Sequence, residues 1–239
     1  MAETRVERVR AGDRDAWRKS YREGGRRGLL AALRWLARRM GTDALLPPGQ
    51  QTPEQACLTE QAMIRRLAAL GARVPEILES GPRHLLLSDL GPSLASRCRA
   101  EADPGRRERM LRLGLEAILR VHAQGGWLSQ AFARNLTLDE AGIGFIDLAE
   151  DTRTVMSLAS AQARDLLFYA HSTARFLADR PGMHAGMMAE ALSRSPEEVR
   201  AEVHLVARRL RWLAPLSRRF GGRAREVAVA LDSLARASA

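Results

Sequence analysis

The sequence predicts an α+β fold, with a small antiparallel sheet towards the N-terminus and a mainly helical C-terminal part. Short runs in which apolar and polar residues alternate fall mainly within residues 5–21 and 74–88, and such alternation is typical of strands. Longer runs with a period of about 3.6 residues, several opened by helix-start signals, dominate the rest. At 239 residues, 46% of them apolar, the chain can form one domain or two small lobes.

The first predicted hairpin carries the one lysine of the chain. Strands are expected over Arg5–Arg10 and Ala16–Tyr21, joined by a turn at Gly12-Asp13. Lys19 falls on the second strand, and the other Lys/Arg positions of the chain are all arginine. A solvated strand lysine is the ordinary interpretation. A lone lysine at this position instead favours a role that needs a compact cation.

Residues 26–40 predict an amphipathic helix with leucines on one face and Arg27, Arg34 and Arg38 on the other. Two interpretations stay open. The helix can pack on the core with a solvated basic face, or it can lie on an anionic membrane surface, for which arginine, leucine and Trp35 are suited.

A second helix is predicted from Thr52 to Leu70, since Thr52-Pro53-Glu54 combines an N-cap, a proline at the first position and an acid in the first turn. Glu60 lies on this helix. A hairpin over 74–79 and 84–88 follows, with its turn at 80–83, and then a short linker, Asp89-Leu90-Gly91.

The segment 121–151 carries polar residues at the ends of a second hairpin. A long helix from Asp103-Pro104 reaches His122 and breaks at Gly125-Gly126, and a further hairpin is predicted between Asn135 and Asp147. An amide oxygen and a carboxylate at adjacent strand ends are hard oxygen ligands of the kind that Mg²⁺ prefers when it also holds a nucleotide phosphate. An ordinary hairpin, in which the Asn caps a turn and the Asp begins the next helix, is the alternative.

The order of these parts resembles the protein-kinase-like superfamily, and Ser88-Asp89-Leu90-Gly91-Pro92 is similar to bacterial lipopolysaccharide-core kinases and their relatives. The resemblance implies a bilobal kinase-like fold with a truncated N-terminal sheet lobe over 1–88 and a helical C-terminal lobe over 89–239. It implies that ATP and Mg²⁺ are bound. In these terms Lys19 contacts the phosphates and pairs with Glu60, Asp89 lies in the hinge that meets the adenine, and Asn135 and Asp147 hold the metal.

The chain departs from the family pattern in three places. Gln130 occupies the position of the catalytic Asp, and a glutamine cannot accept a proton from the phosphate acceptor, although it can orient a hydroxyl. The glycine-rich phosphate loop is not recognisable, since only Gly12 precedes Lys19. A helix expected from about Ala159 leaves no room for the long activation segment that supports peptide substrates, and Asp165 on it falls where the superfamily often has an Asp bracing the catalytic loop.

By this resemblance the expected function is ATP-dependent phosphorylation of a sugar or a lipid-linked sugar, with lipopolysaccharide core as the family example. The alternative is a catalytically weak or inactive kinase-like module, a pseudokinase, that binds a nucleotide or lipid. Gln130 and the missing glycine loop favour the module, whereas Lys19, Asn135 and Asp147 favour the enzyme.

A formal net charge of +10 indicates attraction to polyanions without choosing among them. Nucleic-acid binding is not favoured, because no helix-turn-helix, zinc or aromatic-basic module accompanies the charge. Cys57 and Cys98 lack metal-ligand spacing, and a disulfide framework is not expected. The charged N-terminus and the lack of an apolar run of roughly 18 residues predict a cytoplasmic protein, with attachment to the inner face of a membrane as an open possibility.

Overall fold

The computed structural model of the protein describes residues 3–24, 35, 37–39 and 41–210. It is an α+β structure with an antiparallel sheet near the N-terminus and a mostly helical C-terminal region, as predicted. The predicted helix over 26–40 lies largely outside the described residues, and one expected near 223–236 lies entirely outside them. The strands are β1 (Glu3–Ala11), β2 (Arg14–Arg22), β3 (Ile77–Gly81), β4 (His84–Ser88), β5 (Leu136–Asp139) and β6 (Gly142–Phe145).

The helices of the described region follow the same order along the chain. They are α1 (Pro53–Ala69), α2 (Leu94–Ala100), α3 (Pro104–Ala123), α4 (Leu158–Thr173), α5 (Pro181–Ser193) and α6 (Glu197–Leu210). Short 3₁₀ turns lie at Asp43–Leu45, Thr152–Thr154 and Ala174–Leu177. No helix in the described part of the chain is long and apolar enough to cross a membrane.

The N-terminal sheet has the strand order β1-β2-β4-β3, and all its neighbours are antiparallel. Strand β1 is an exposed edge strand rich in arginine and glutamate, and charged side chains of this kind discourage pairing with other chains. Strand β2 is central. Lys19 and Tyr21 lie two residues apart on β2 and are both buried, because successive residues of a strand point to opposite faces.

Helix α1 packs against β2 and begins as the sequence predicts. The Thr52 side chain accepts a hydrogen bond from the Gln55 amide, and the Gln55 side chain accepts one from the Thr52 amide. The helix ends at Gly71, whose φ of +75° lies in the left-handed region that favours glycine. Its buried residues are apolar except for Glu60, which is 1% exposed, and Gln61.

Helices α3 and α4 form the centre of the C-terminal region. Asp103 caps α3 through the Gly105 amide, and Leu111 and Ile118 are fully buried. Leu166 and Tyr169 contribute the facing side of α4. Both cysteines are free and buried, and burial raises the pKa of Cys98 to about 11.

Strand β3 and helices α2 and α5 differ from the sequence prediction. Strand β3 begins at Ile77 and extends through Ser80 to Gly81, with an irregular register next to Ile77, so the turn is shorter than expected. The predicted strand began at residue 74, which is too early. Pro75 cannot donate a ladder hydrogen bond, so the strand begins after it. Helices α2 and α5 are not predicted, since α2 is only seven residues long and α5 is rich in methionine, alanine and glycine without a clear polar face.

The β5–β6 hairpin forms backbone hydrogen bonds with the linker that follows β4. The Leu138 amide donates to the Pro92 carbonyl at 3.1 Å, and Ser93 pairs with Thr137 in an isolated bridge. On the opposite side the Phe145 amide donates to the Arg73 carbonyl at 2.9 Å. The linker, β5 and β6 therefore form one connected backbone layer beneath the sheet.

The close packing of α3 on α4 predicts an unusual response to alanine. A Cβ at Gly114 would meet the Tyr169 Oη at 2.5 Å and a Leu94 methyl at 2.7 Å, whereas the space around Gly186 in α5 is open. Gly186→Ala should stabilise the protein by about 0.5–1 kcal/mol through helix propensity. Gly114→Ala should destabilise it by about 1–3 kcal/mol, because overpacking outweighs the same gain. Urea unfolding of both variants checks this, and equal shifts would contradict it.

Candidate functional site

An ion cluster lies between the sheet and the β5–β6 hairpin, with Lys19 and Glu60 buried and the Asp147 side chain partly exposed. Lys19 Nζ is 2.7 Å from a Glu60 carboxylate oxygen and 2.7 Å from Asp147 Oδ1. Lys19 is 5% exposed. The strand, the helix and the hairpin thus each supply one charge, and the Lys19–Glu60 pair that the sequence predicts is formed.

Glu60 is held by more partners than the sequence analysis foresaw. The Tyr21 hydroxyl donates to Glu60 Oε2, and the Leu148 amide donates to Glu60 Oε1 at 3.2 Å. Sequence reasoning missed Tyr21, although its position two residues after Lys19 on the same strand face could have indicated it. These bonds connect α1 to the chain immediately after Asp147, so the position of Glu60 and that of Asp147 depend on each other.

The electrostatics of the cluster favour the charged forms of Lys19 and Asp147. Burial disfavours the Lys19 ammonium, but the carboxylates of Glu60 and Asp147 outweigh it and raise the pKa of Lys19 above its ordinary value. Burial likewise opposes the Asp147 carboxylate, yet Lys19, with a smaller contribution from Arg134, lowers the pKa of Asp147. Asp147 is therefore an anion at neutral pH.

Asn135 and Asp147 are brought together at the base of the hairpin, as predicted. The Ile146 amide, next to Asp147, donates to the Asn135 carbonyl at 2.9 Å. The Asn135 side-chain amide group donates to the Gln130 carbonyl at 3.0 Å. Asp147 has a φ of 61°, a left-handed conformation that costs a non-glycine residue of the order of 1 kcal/mol or more and is concentrated at functional sites.

The loop between α3 and β5 is fixed from below by helix α4. The carboxylate of Asp165 accepts a hydrogen bond from the Leu128 amide at 2.7 Å and contacts His122 Nε2 at 3.2 Å. The Arg164 guanidinium donates to the Ser129 carbonyl, and Ser129 itself has a φ of 68°. The bracing role considered for Asp165 is thus matched by its contacts, and the loop conformation around Gln130 is held by buried hydrogen bonds.

A cavity of about 400 Å³ opens between the sheet and the hairpin. Lys19, Glu60 and Asp147 lie in its wall, and the predicted hinge residue Asp89 lines it as well. The Asp89 carboxylate accepts a bond from the Gly91 amide and contacts Arg8 at 3.4 Å, so it shapes the linker. Much of the remaining lining is apolar and includes Val6, Trp17, Leu87, Leu90 and Ile146.

One lining residue carries an unused hydrogen-bonding group. Thr137 is 1% exposed and lines the cavity, and its Oγ1 has no hydrogen-bond partner among the described residues. A buried hydroxyl without a partner is costly unless a ligand or water satisfies it. Sequence reasoning missed Thr137 because it resembles any strand threonine.

The donor set near the cavity fits Mg²⁺ better than a metal that needs a full protein cage. The described residues contain no group of three or more His, Cys, Asp or Glu side chains arranged to hold an ion. Asn135 and Asp147 offer one amide oxygen and one carboxylate. Mg²⁺ is commonly held by one or two protein oxygens together with waters and substrate phosphates, which matches this pair.

No protein-family model matches the chain, and no curated protein sequence matches it. The case for a function therefore depends on the geometry of the site itself.

Removing the buried charge of Lys19 should lower the stability of the protein much more than removing an exposed charge nearby. Lys19→Met leaves Glu60 buried without its cation and should destabilise the protein by about 3–5 kcal/mol. Arg18→Met, on the exposed face of the same strand, should change stability by no more than about 0.5 kcal/mol. The free energies of unfolding of both variants are to be measured by urea unfolding.

A double-mutant cycle separates pairing from simple loss of packing. Lys19→Met combined with Glu60→Gln should cost less than the sum of the two single variants, because neither charge is then left alone. Additive losses would contradict a direct Lys19–Glu60 coupling.

Proposed function

We propose that the protein is a kinase-like phosphotransferase with a bilobal arrangement, which binds ATP with Mg²⁺ between sheet and helical region and phosphorylates a sugar or lipid-linked sugar. The observation that carries the proposal is the Lys19–Glu60–Asp147 cluster in the wall of a largely apolar cavity. Such a cavity has the size and mixed lining of a small-molecule site, and it unites an apolar surface for a base with a cation for phosphates.

Each residue has a chemical task in this proposal. The apolar lining around Trp17, Leu87 and Leu90 takes the adenine, with the linker at Asp89 beside it. Lys19 neutralises phosphate charge, and Glu60 keeps its ammonium in place. Asn135 and Asp147 would hold Mg²⁺, which when bound neutralises charge on the transferred phosphoryl group. Most of the catalysis in such a reaction comes from positioning and charge neutralisation, which these side chains can supply.

The acceptor is inferred from the chain between Asp147 and α4. This segment is short and folded on itself, since Asp151 caps the 3₁₀ turn at Thr152–Thr154 and Arg153 donates to the Met156 carbonyl. It offers no extended platform for a peptide, which favours a small or lipid-linked acceptor. The net charge of +10 suits a phosphorylated saccharide or an anionic membrane surface, so cytoplasmic location at a membrane face belongs to the same proposal.

A second candidate is a binding module with the same fold and little turnover. Gln130 favours it, because its amide cannot take the proton of an acceptor hydroxyl. This module would bind a nucleotide or a lipid, and it differs from the enzyme in that no phosphoryl transfer follows.

Nucleotide binding is tested by thermal unfolding with ATP and Mg²⁺. A ligand that binds only the folded protein stabilises it by mass action, by about 2.7 kcal/mol at a hundredfold excess over Kd. The wild type should therefore melt at a higher temperature with ATP and Mg²⁺ together, and less so when Mg²⁺ is omitted.

Asp147→Asn should lose the part of this shift that depends on Mg²⁺. The matched control is Asp179→Asn, which makes the same chemical change at an exposed position and should keep the full shift. Absence of any shift at millimolar nucleotide, or equal shifts in the two variants, would overturn the proposed site.

A further inference from the structure

A stacked pair of aromatic rings lies at the loop before β5, with an arginine at each end. The Phe132 and Phe168 rings have centroids 4.4 Å apart and planes inclined by 15°. The Arg164 guanidinium lies over the Phe168 ring at 4.3 Å, and the Arg134 guanidinium lies over the Phe132 ring at 4.1 Å. The four side chains therefore form one continuous group that connects the loop to helix α4.

The two arginines differ in what else they contact. Arg164 is buried, and its guanidinium donates to three backbone carbonyls. Arg134 is exposed, and its guanidinium makes no hydrogen bond or ion pair with the other residues that the structure describes. Stacking on a ring uses the face of a guanidinium and leaves the fork of N–H donors along its edge free. Arg134 thus presents these donors to an external anion.

The backbone is fixed on both sides of Arg134. The Ala133 amide donates to Ser172 Oγ at 2.9 Å, and the Asn135 amide donates to the Phe132 carbonyl at 2.8 Å. The guanidinium is held in addition by the ring beneath it. A side chain that is already held at both ends loses less conformational freedom when a ligand binds, and this favours affinity.

Arg134 lies beside the expected metal pair but outside the nucleotide cavity. It directly precedes Asn135, whose side chain donates to the Gln130 carbonyl at 3.0 Å and so closes the turn that contains Arg134. Its positive charge also contributes to the lowered pKa of Asp147, in agreement with this placement. Arg134 is not among the residues that line the cavity. An anion bound to it therefore occupies space that the nucleotide leaves free.

We propose that Arg134 binds an anionic group of the acceptor, a phosphate or a carboxylate, so that the acceptor is a negatively charged saccharide. This inference rests on the proposed function and specifies its substrate class. A guanidinium pairs with either group through two parallel N–H···O bonds. The anion is held at Arg134 while a hydroxyl of the same molecule lies near Gln130 and the metal pair, where it meets the phosphoryl group.

The test measures anion binding without nucleotide, by calorimetry at constant ionic strength. The probes are glucose 6-phosphate, glucuronate, inorganic phosphate and uncharged glucose. The proteins are the wild type, Arg134→Gln, Arg134→Lys and Arg120→Gln, in which an exposed arginine of α3 undergoes the same chemical change. Each protein is also melted with ATP and Mg²⁺, so that nucleotide binding is followed separately.

The wild type should bind glucose 6-phosphate or glucuronate about 10-fold or more tightly than glucose, and the stronger of the two identifies the anionic group. Arg134→Gln should weaken the binding of that sugar anion and of inorganic phosphate about 10- to 100-fold. Arg134→Lys should recover only part of this loss, because an ammonium lacks the planar fork. Arg120→Gln should match the wild type, and Arg134→Gln should keep most of its ATP-dependent melting shift.

Three results would overturn the inference, and each has a different meaning for the proposed function. Equal anion binding by the wild type and Arg134→Gln, with nucleotide bound by both, excludes Arg134 and keeps the enzyme. Equal losses of anion binding and of the ATP-dependent shift in Arg134→Gln assign the arginine to the nucleotide phosphates instead of the acceptor. The absence of a melting shift in the wild type removes the proposed function and the acceptor role of Arg134 with it.

Discussion

The structure depends on the neutralisation of one buried positive charge, the ammonium group of Lys19, by neighbouring carboxylates. Lys19 is nearly inaccessible to water, and an isolated charge in such a place would be strongly unfavourable. Glu60 and Asp147 approach it from a helix and from a hairpin, each at hydrogen-bonding distance. Because the cluster is satisfied only when all three elements are in position, it fixes how helix, sheet and hairpin sit relative to each other.

A second layer of constraint lies beneath the cluster, in the contacts between helix α4 and the loop before β5. Asp165 and Arg164 bind backbone groups of Leu128 and Ser129, and Gln162 donates to the carbonyls of His122 and Gly126. These buried side chains form hydrogen bonds with backbone groups of the loop. The loop can therefore adopt an unusual conformation while those backbone groups stay buried and paired.

Two non-glycine residues near this loop have a left-handed backbone conformation that the surrounding hydrogen bonds stabilise. Ser129 and Asp147 are the non-glycine residues with positive φ in the described part of the chain, and both lie next to the cavity or the loop below it. Their backbone strain is offset by the bonds around them, which is the usual arrangement at a site whose geometry is set in advance.

The coarse fold was predictable because its signals are local. The cap at Thr52 and Pro53, the alternation around Lys19 and the start of α3 at Asp103 each depend on a few neighbouring residues. Lys19, Asn135 and Asp147 could be singled out because a lone lysine on a strand, and an amide and a carboxylate at adjacent strand ends, are recognisable in the sequence. The lengths of β1 and β2 were underestimated, since strand ends depend on pairing with another segment.

The remaining site residues could not be found in this way, because their importance arises from distant contacts. Thr137 looks like any strand threonine until the cavity is formed around it. Tyr21 is an intermediate case. Its strand face was predictable, but its bond to Glu60 depends on the angle at which α1 crosses the sheet.

The distances along the chain between the cluster members have a consequence for how the protein folds. Lys19 and Glu60 are 41 positions apart, Glu60 and Leu148 are 88 apart, and Lys19 and Asp147 are 128 apart. Contacts across such separations form late, because closing long loops costs chain entropy before any bond is gained. The N-terminal sheet and α1 emerge from synthesis long before Asp147, and until then Lys19 has only half of its counter-charge. The ion cluster is therefore completed only after the chain has been made as far as Asp147 and Leu148.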